Sequence, residues 1–283
     1  MRNNVTRVKM NGMEQLLIDL KPKRNEGDVF LKTPVDVTNL VEYINKAKKE
    51  GKDYTYFHAF LLALAKTIYN RPRLNRFIQN RHMFEHNDVV IAFVAKVAFE
   101  DSSEELMFQM KIDPDDNIES ISEKIRNQVA KVRERKNKKV DKKGANSAIE
   151  TLGKLPNLIR VPLVGLLKWM DDKGILPMSL QEDDIYFSSA IVTDIGSLHS
   201  DAIYHNNTNF GNCSSITAIG EIHDDVVYKD GKEKKVKVAN FGINFDERIA
   251  DGFYLIKSFK LLEHIIDNPE LLEGRADEKI EIK

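Results

Sequence analysis

The sequence predicts an α/β fold in which helices pack against a sheet, and three stretches carry that prediction. Residues 54–69 put Phe57, Phe60, Leu61, Leu64, Ala65 and Ile68 on one face. An apolar face this wide belongs to a helix laid on a sheet, not to one surrounded by water. Residues 89–99 and 106–112 read as strong strands joined by an acidic loop. Near the C-terminus, Val236, Val238, Phe241, Ile243 and Phe245 form an apolar run with partial alternation, as a half-buried strand requires. A helix follows in which Leu255, Phe259, Leu262 and Ile266 recur at the spacing of one face, and Asn268-Pro269 ends it.

Composition narrows the class. A chain of 283 residues can bury a substantial core, and with neither a linker nor an internal repeat it is expected to form one unit over 1–283. Lys+Arg 43 against Asp+Glu 44 leaves a net charge of −1, so nothing global draws nucleic acid or an anionic membrane, and neither is expected as a partner. The lone Cys213 excludes an intramolecular disulfide and an all-cysteine metal cluster. Met1-Arg2-Asn3-Asn4 opens no signal peptide, and no apolar run approaches membrane-spanning length. The expected location is the cytoplasm.

Taken in order, residues 1–27 contain an apolar knot at Met13, Leu16, Leu17 and Leu20 before a basic, turn-prone stretch. Val29-Phe30-Leu31 and Val35-Asp36-Val37 read as a strand interrupted by Pro34, which suits a sheet edge. Thr38 is placed to cap the next helix. After the 54–69 helix, a hairpin is expected near residues 77–84, with turn residues at Asn80-Arg81. His82 and His86 fall in that hairpin and read as surface histidines, so no metal is expected. Residues 117–139 form an amphipathic helix through Ile118, Ile121, Ile125, Val129 and Val132. It runs into a basic stretch at 133–143, either a solvated helix end or an attractor of phosphate groups. Residues 149–176 read as helical but broken by Pro156 and Pro162, with the sole tryptophan, Trp169, as a packing element. Residues 185–195 return to strand and enter Gly196-Ser197-Leu198. A turn-rich loop at 206–212, a strand at 215–222 and a hairpin across Asp230-Gly231 complete the order.

The join between the last strand and the last helix, Phe245-Asp246-Glu247-Arg248-Ile249-Ala250-Asp251-Gly252, resembles the C-terminal motif of the chloramphenicol acetyltransferase-like superfamily. More narrowly, it is similar to the catalytic domain of the dihydrolipoamide acyltransferases of 2-oxoacid dehydrogenase complexes. The resemblance spans about residues 29–272, leaving a polar tail at 273–283, and includes neither that family's lipoyl domain nor its subunit-binding domain. It implies a two-layer sandwich, a mixed sheet covered by helices, that assembles as a homotrimer with its sites between subunits. It also implies acyl transfer from coenzyme A, with a small or lipoamide-like acceptor. The family motif reads Asp-His-Arg-x-x-Asp-Gly, with the His as general base; here Glu247 occupies that position. Aligning the family's Phe-Thr-Ile-Ser-x-x-Gly segment on Gly196 puts Thr193 where a hydroxyl bonds the oxyanion of the tetrahedral intermediate.

The candidate catalytic residues are therefore Glu247, Asp251, Thr193 and His205. Asp251 is read either as an orienting carboxylate or as the cap of the last helix. Thr193 is either the oxyanion donor or an ordinary β-branched strand residue. His205 lies in a turn after the Thr193 strand, either solvent-exposed or near enough to replace the missing base. An unperturbed glutamate titrates near ~4.3 and a thiol near ~8.5, an uphill proton transfer on the order of 5.7 kcal/mol, so Glu247 needs burial to act as a base. Two functions follow: a free-standing acyl-coenzyme A-dependent acyltransferase, or a non-catalytic trimeric relative acting as a scaffold.

Overall fold

The structure is a computed structural model, and it describes residues 4–96, 105–138, 151–182, 184–229 and 231–282. In chain order the strands are β1 (Val5–Arg7), β2 (Asp28–Asp36), β3 (Arg76–Gln79), β4 (His82–His86), β5 (Val89–Lys96), β6 (Glu105–Ile112), β7 (Ala190–Asp194), β8 (Ser215–Ile219), β9 (His223–Lys229) and β10 (Lys232–Asp246). The helices are α1 (Gly12–Leu20), α2 (Thr38–Lys49), α3 (Tyr56–Asn70), α4 (Ile118–Lys138), α5 (Asn157–Asp172) and α6 (Gly252–Asp267). The main sheet runs β2-β10-β8-β7-β5-β6, with β9 also paired to β10. It is mixed: β7 lies parallel to β5 and β8, and the other pairs are antiparallel. A second sheet, β1-β4-β3, stands beside it.

Strand alternation decides the layers. Ile91 and Phe93 of β5 and Ala190 and Val192 of β7 join the large core shared with α2, α3, α4 and α6, while the intervening Ala92 and Ile191 join a small cluster with Ile185, Cys213 and Ile216. The sheet is thus covered by helices on one face and by loops on the other. Helix α3 is buried all round from His58 to Ile68, as its wide apolar face requires, with the Thr55 side chain accepting from the His58 amide at its start.

Several local expectations need correction. β2 is one continuous strand through Pro34, tolerated because β2 is an edge and loses only an outward-facing donor. Thr38 does not cap α2; Asp36 Oδ1 accepts from the Thr38 amide at 2.9 Å and from its hydroxyl at 2.6 Å. Pro162 does not break α5, which runs unbroken from Asn157 to Asp172; Pro162 is exposed, so water can reach the carbonyl it leaves unpaired. The strand expected over 185–195 shrinks to Ala190–Asp194. The 133–143 basic side chains and residues 97–99 lie outside what the structure describes. The expected polar tail folds back onto α3: the fully buried Lys66 ammonium donates to the Gly274 carbonyl at 3.1 Å and to that of Arg275, and Asn70 bonds the backbone of Glu278 and Ile280.

Candidate active site

The turn after β10 is built around a buried ion pair. Arg248 Nε and Nη2 donate to Asp246 Oδ1 and Oδ2 at 2.8 Å each, and Arg248 Nη1 donates to the Lys21 and Pro22 carbonyls at 3.0 and 3.2 Å. The pair has almost no solvent contact, with side-chain exposures of 2% and 0%. Gly27 makes room for it, since a Cβ there would sit 2.5 Å from Asp246 Oδ1. The Gly27 carbonyl also accepts from the Glu247 amide at 2.9 Å, fixing the turn from its other side. Asp251 is the N-cap of α6, its Oδ1 accepting from the Tyr254 amide at 2.8 Å. Three of the four polar motif residues thus hold the turn together.

Glu247 has a different setting. Its carboxylate is ion-paired to the Lys21 ammonium, and its side chain is 33% exposed. Within one chain the burial that a glutamate base needs is not supplied.

Thr193 and His205 share a different place, a cavity of about 530 Å³ on the β7–β8 side of the sheet. Its apolar wall includes Phe57, Phe93, Ile125 and Val129, and its polar wall includes Asp194, Ser197 and Asn206. The loop carrying His205 crosses the sheet at Gly242, where a Cβ would lie 2.4 Å from the Ile203 carbonyl oxygen. Asn244 Nδ2 then donates to the His205 carbonyl at 2.5 Å, securing the loop. His205 Nε2 is buried without a hydrogen-bond partner among the described residues, and the residue lines the same cavity as Thr193. Asp194 was not singled out from the sequence. Burial raises its carboxyl above the usual range, against the opposing pull of the Gly196 and Ser197 amides. Its signal was an acidic residue at the end of an apolar strand, directly after Thr193.

The register shows how far apart these two groups stand. Thr193 pairs with Ala218, and Ala218 pairs with Gly242. Glu247 lies five residues beyond Gly242, one past the end of β10. At ~3.3 Å per residue along the strand and two strand spacings of ~4.8 Å across, the separation is roughly 19 Å. One chain therefore does not bring Glu247 and Thr193 together, whereas Thr193 and His205 line one cavity. Cys213 is buried beneath this region, where burial raises its thiol pKa and keeps it protonated. Among the described residues, no group of three His, Cys, Asp or Glu side chains is arranged to hold a metal ion.

The architecture matches solved acyltransferase structures. A probable dihydrolipoamide acetyltransferase from Listeria monocytogenes superposes with a TM-score of 0.59 and 19% identity, over 93% of this chain and 94% of that one. A dihydrolipoamide acetyltransferase from Azotobacter vinelandii, in which a serine, a histidine and an asparagine were investigated for their role in catalysis, gives 0.58 and 13% over 94% and 93%. A chloramphenicol acetyltransferase gives 0.51 and 9% over 93% and 99%. No protein-family model and no curated protein sequence matches the chain. The chain has the chloramphenicol acetyltransferase-like fold that the sequence led us to expect, and identities this low establish the fold alone.

Proposed function

We propose that the protein is a cytoplasmic acyltransferase that moves an acyl group from a coenzyme A thioester to a thiol, hydroxyl or amine acceptor, and that it works as a homotrimer. The observation that carries this reading is the cavity shared by Thr193 and His205 in an acyltransferase fold. Its apolar wall suits an acyl or pantetheine chain. A base takes the acceptor proton, and the acceptor attacks the thioester carbonyl. The tetrahedral oxyanion accepts a hydrogen bond from the Thr193 hydroxyl. Collapse expels the coenzyme A thiolate, which receives the proton back from the base. His205 is the base available within one chain. Glu247 reaches a Thr193 cavity only if a neighbouring copy supplies it, which is the reason for proposing the trimer. The engagement of Glu247 by Lys21 favours a second reading, a non-catalytic scaffold of the same fold.

The experiment follows release of free coenzyme A from acetyl-coenzyme A with dihydrolipoamide, a small alcohol and a small amine as acceptors. Thr193→Val should lower the rate about 10²–10³-fold, as loss of one oxyanion donor does. His205→Gln and Glu247→Gln separate the two bases, since only the true base should abolish transfer. Coenzyme A binding without turnover would leave the scaffold reading. Absence of both binding and turnover, or a monomer by light scattering at every concentration, would overturn the proposal.

A further inference from the structure

Helix α5 is apolar on its outward side as well as on its inward one, where Leu163, Leu167 and Met170 are half-buried. Leu158 is 87% exposed and Trp169 is 53% exposed, and Val161 and Leu166 are also turned out. None of its apolar side chains belongs to either core cluster. It is tied to the body by polar contacts: the Asp171 carboxylate accepts from the Gly211 amide at 2.7 Å, the Asp171 carbonyl accepts from Gln79, and Asp172 accepts from the Asn80 amide at 3.3 Å. An apolar face this exposed needs an occupant.

The charges around the helix indicate which. From Thr151 to Lys173 the chain carries Lys154, Arg160, Lys168 and Lys173 against Asp171, which is buried, and Asp172, which pairs with Lys173. The overall charge of −1 conceals this asymmetry, so the absence of a global pull on anionic membranes does not extend to this segment. A two-fold contact with a second copy would set these cations against one another, an objection that applies to a two-fold pairing alone and not to a trimer contact. An apolar stripe with one tryptophan and a cationic surround instead has the chemistry of a helix lying in an anionic bilayer interface. No described helix is long and apolar enough to cross a membrane, so the contact is with the surface.

We infer that α5 docks the protein on anionic phospholipid membranes, inserting Leu158, Val161, Leu166 and Trp169 while Lys154 and Lys168 meet the headgroups. This is independent of acyl transfer. Trp169 is the only tryptophan in the chain, so its emission reports on this face alone. The test titrates the full-length protein with phosphatidylcholine vesicles, with and without phosphatidylglycerol. Emission should move to shorter wavelength, and protein should float with the vesicles, only when phosphatidylglycerol is present. Lys154→Gln with Lys168→Gln should weaken binding on the order of 10–30-fold. Leu158→Glu with Val161→Glu, at positions too exposed to disturb the fold, should abolish it. An unshifted emission with every vesicle, or equal binding to neutral vesicles, would overturn the inference. So would a shift that grows with protein concentration in the absence of lipid, which would identify a second copy as the occupant.

Discussion

Breaking the Asp246–Arg248 pair should cost more than any other single change at the motif, and by an amount the geometry apportions. Removing one partner of a buried ion pair strands the other charge, at about 3–5 kcal/mol. Asp246→Asn falls in that range, because Arg248 keeps its bonds to the Lys21 and Pro22 carbonyls. Arg248→Met strands the Asp246 carboxylate and also orphans those two carbonyls, so it should cost a further ~1–2 kcal/mol. Against a whole-domain stability of about 5–15 kcal/mol, Arg248→Met approaches unfolding. The double variant Asp246→Asn/Arg248→Met should recover part of the loss, because no charge is left stranded. Urea denaturation followed by circular dichroism measures all three, provided the slope with denaturant stays constant. An Asp246→Asn cost under ~1 kcal/mol would show that the pair does not hold the turn. Equal costs for the two single variants would show that the carbonyl bonds contribute nothing.

Two further outcomes are expected. Asp251→Ala should cost about 0.5–2 kcal/mol through loss of the α6 cap while Asp251→Asn is tolerated; thermal melts that rank the two variants equally would contradict the cap. His58 is buried, which lowers its pKa from its ordinary 6.5 to about 4, with Asp53 opposing the shift. The unfolded chain therefore binds a proton that the folded chain refuses between those values. Stability present above pH 6.5 should fall as pH drops toward 4, by about 2 kcal/mol after allowing for partial solvent access. Replacing His58 with Leu should flatten that fall, and an unchanged acid limb in the variant would remove His58 as its cause.

The sequence made the layers legible because burial imposes a period. The wide face of α3 and the alternation of β5 each required a neighbour, and the structure supplies it. The Asp251 cap was legible because an acidic residue immediately preceded an apolar-periodic run. Pro162 was misread because a proline's effect depends on whether the carbonyl it orphans reaches water, and exposure is not a property of the local sequence. Lys66 was missed for a similar reason. A lysine within an apolar helix gives no sign that carbonyls of residues 274 and 275 will surround it. The outward face of α5 was hidden because an apolar helix reads the same whether protein or another medium covers it.

The site was legible only where chemistry and fold share a residue. Asp246 and Arg248 neutralise each other in the interior, Gly27 clears space for them, and Asp251 caps α6. Each would be required even in a protein that catalysed nothing. Glu247 alone projects from the turn to a partner it can lose cheaply, because a partly exposed pair such as that with Lys21 contributes roughly 0–1 kcal/mol. The fold thus constrains every polar motif position except the one the family uses as its base. An intact turn is strong support for the architecture and says little about turnover. Roughly 19 Å from that turn, Thr193, Asp194 and His205 line one cavity through register and a loop crossing that no linear spacing encodes.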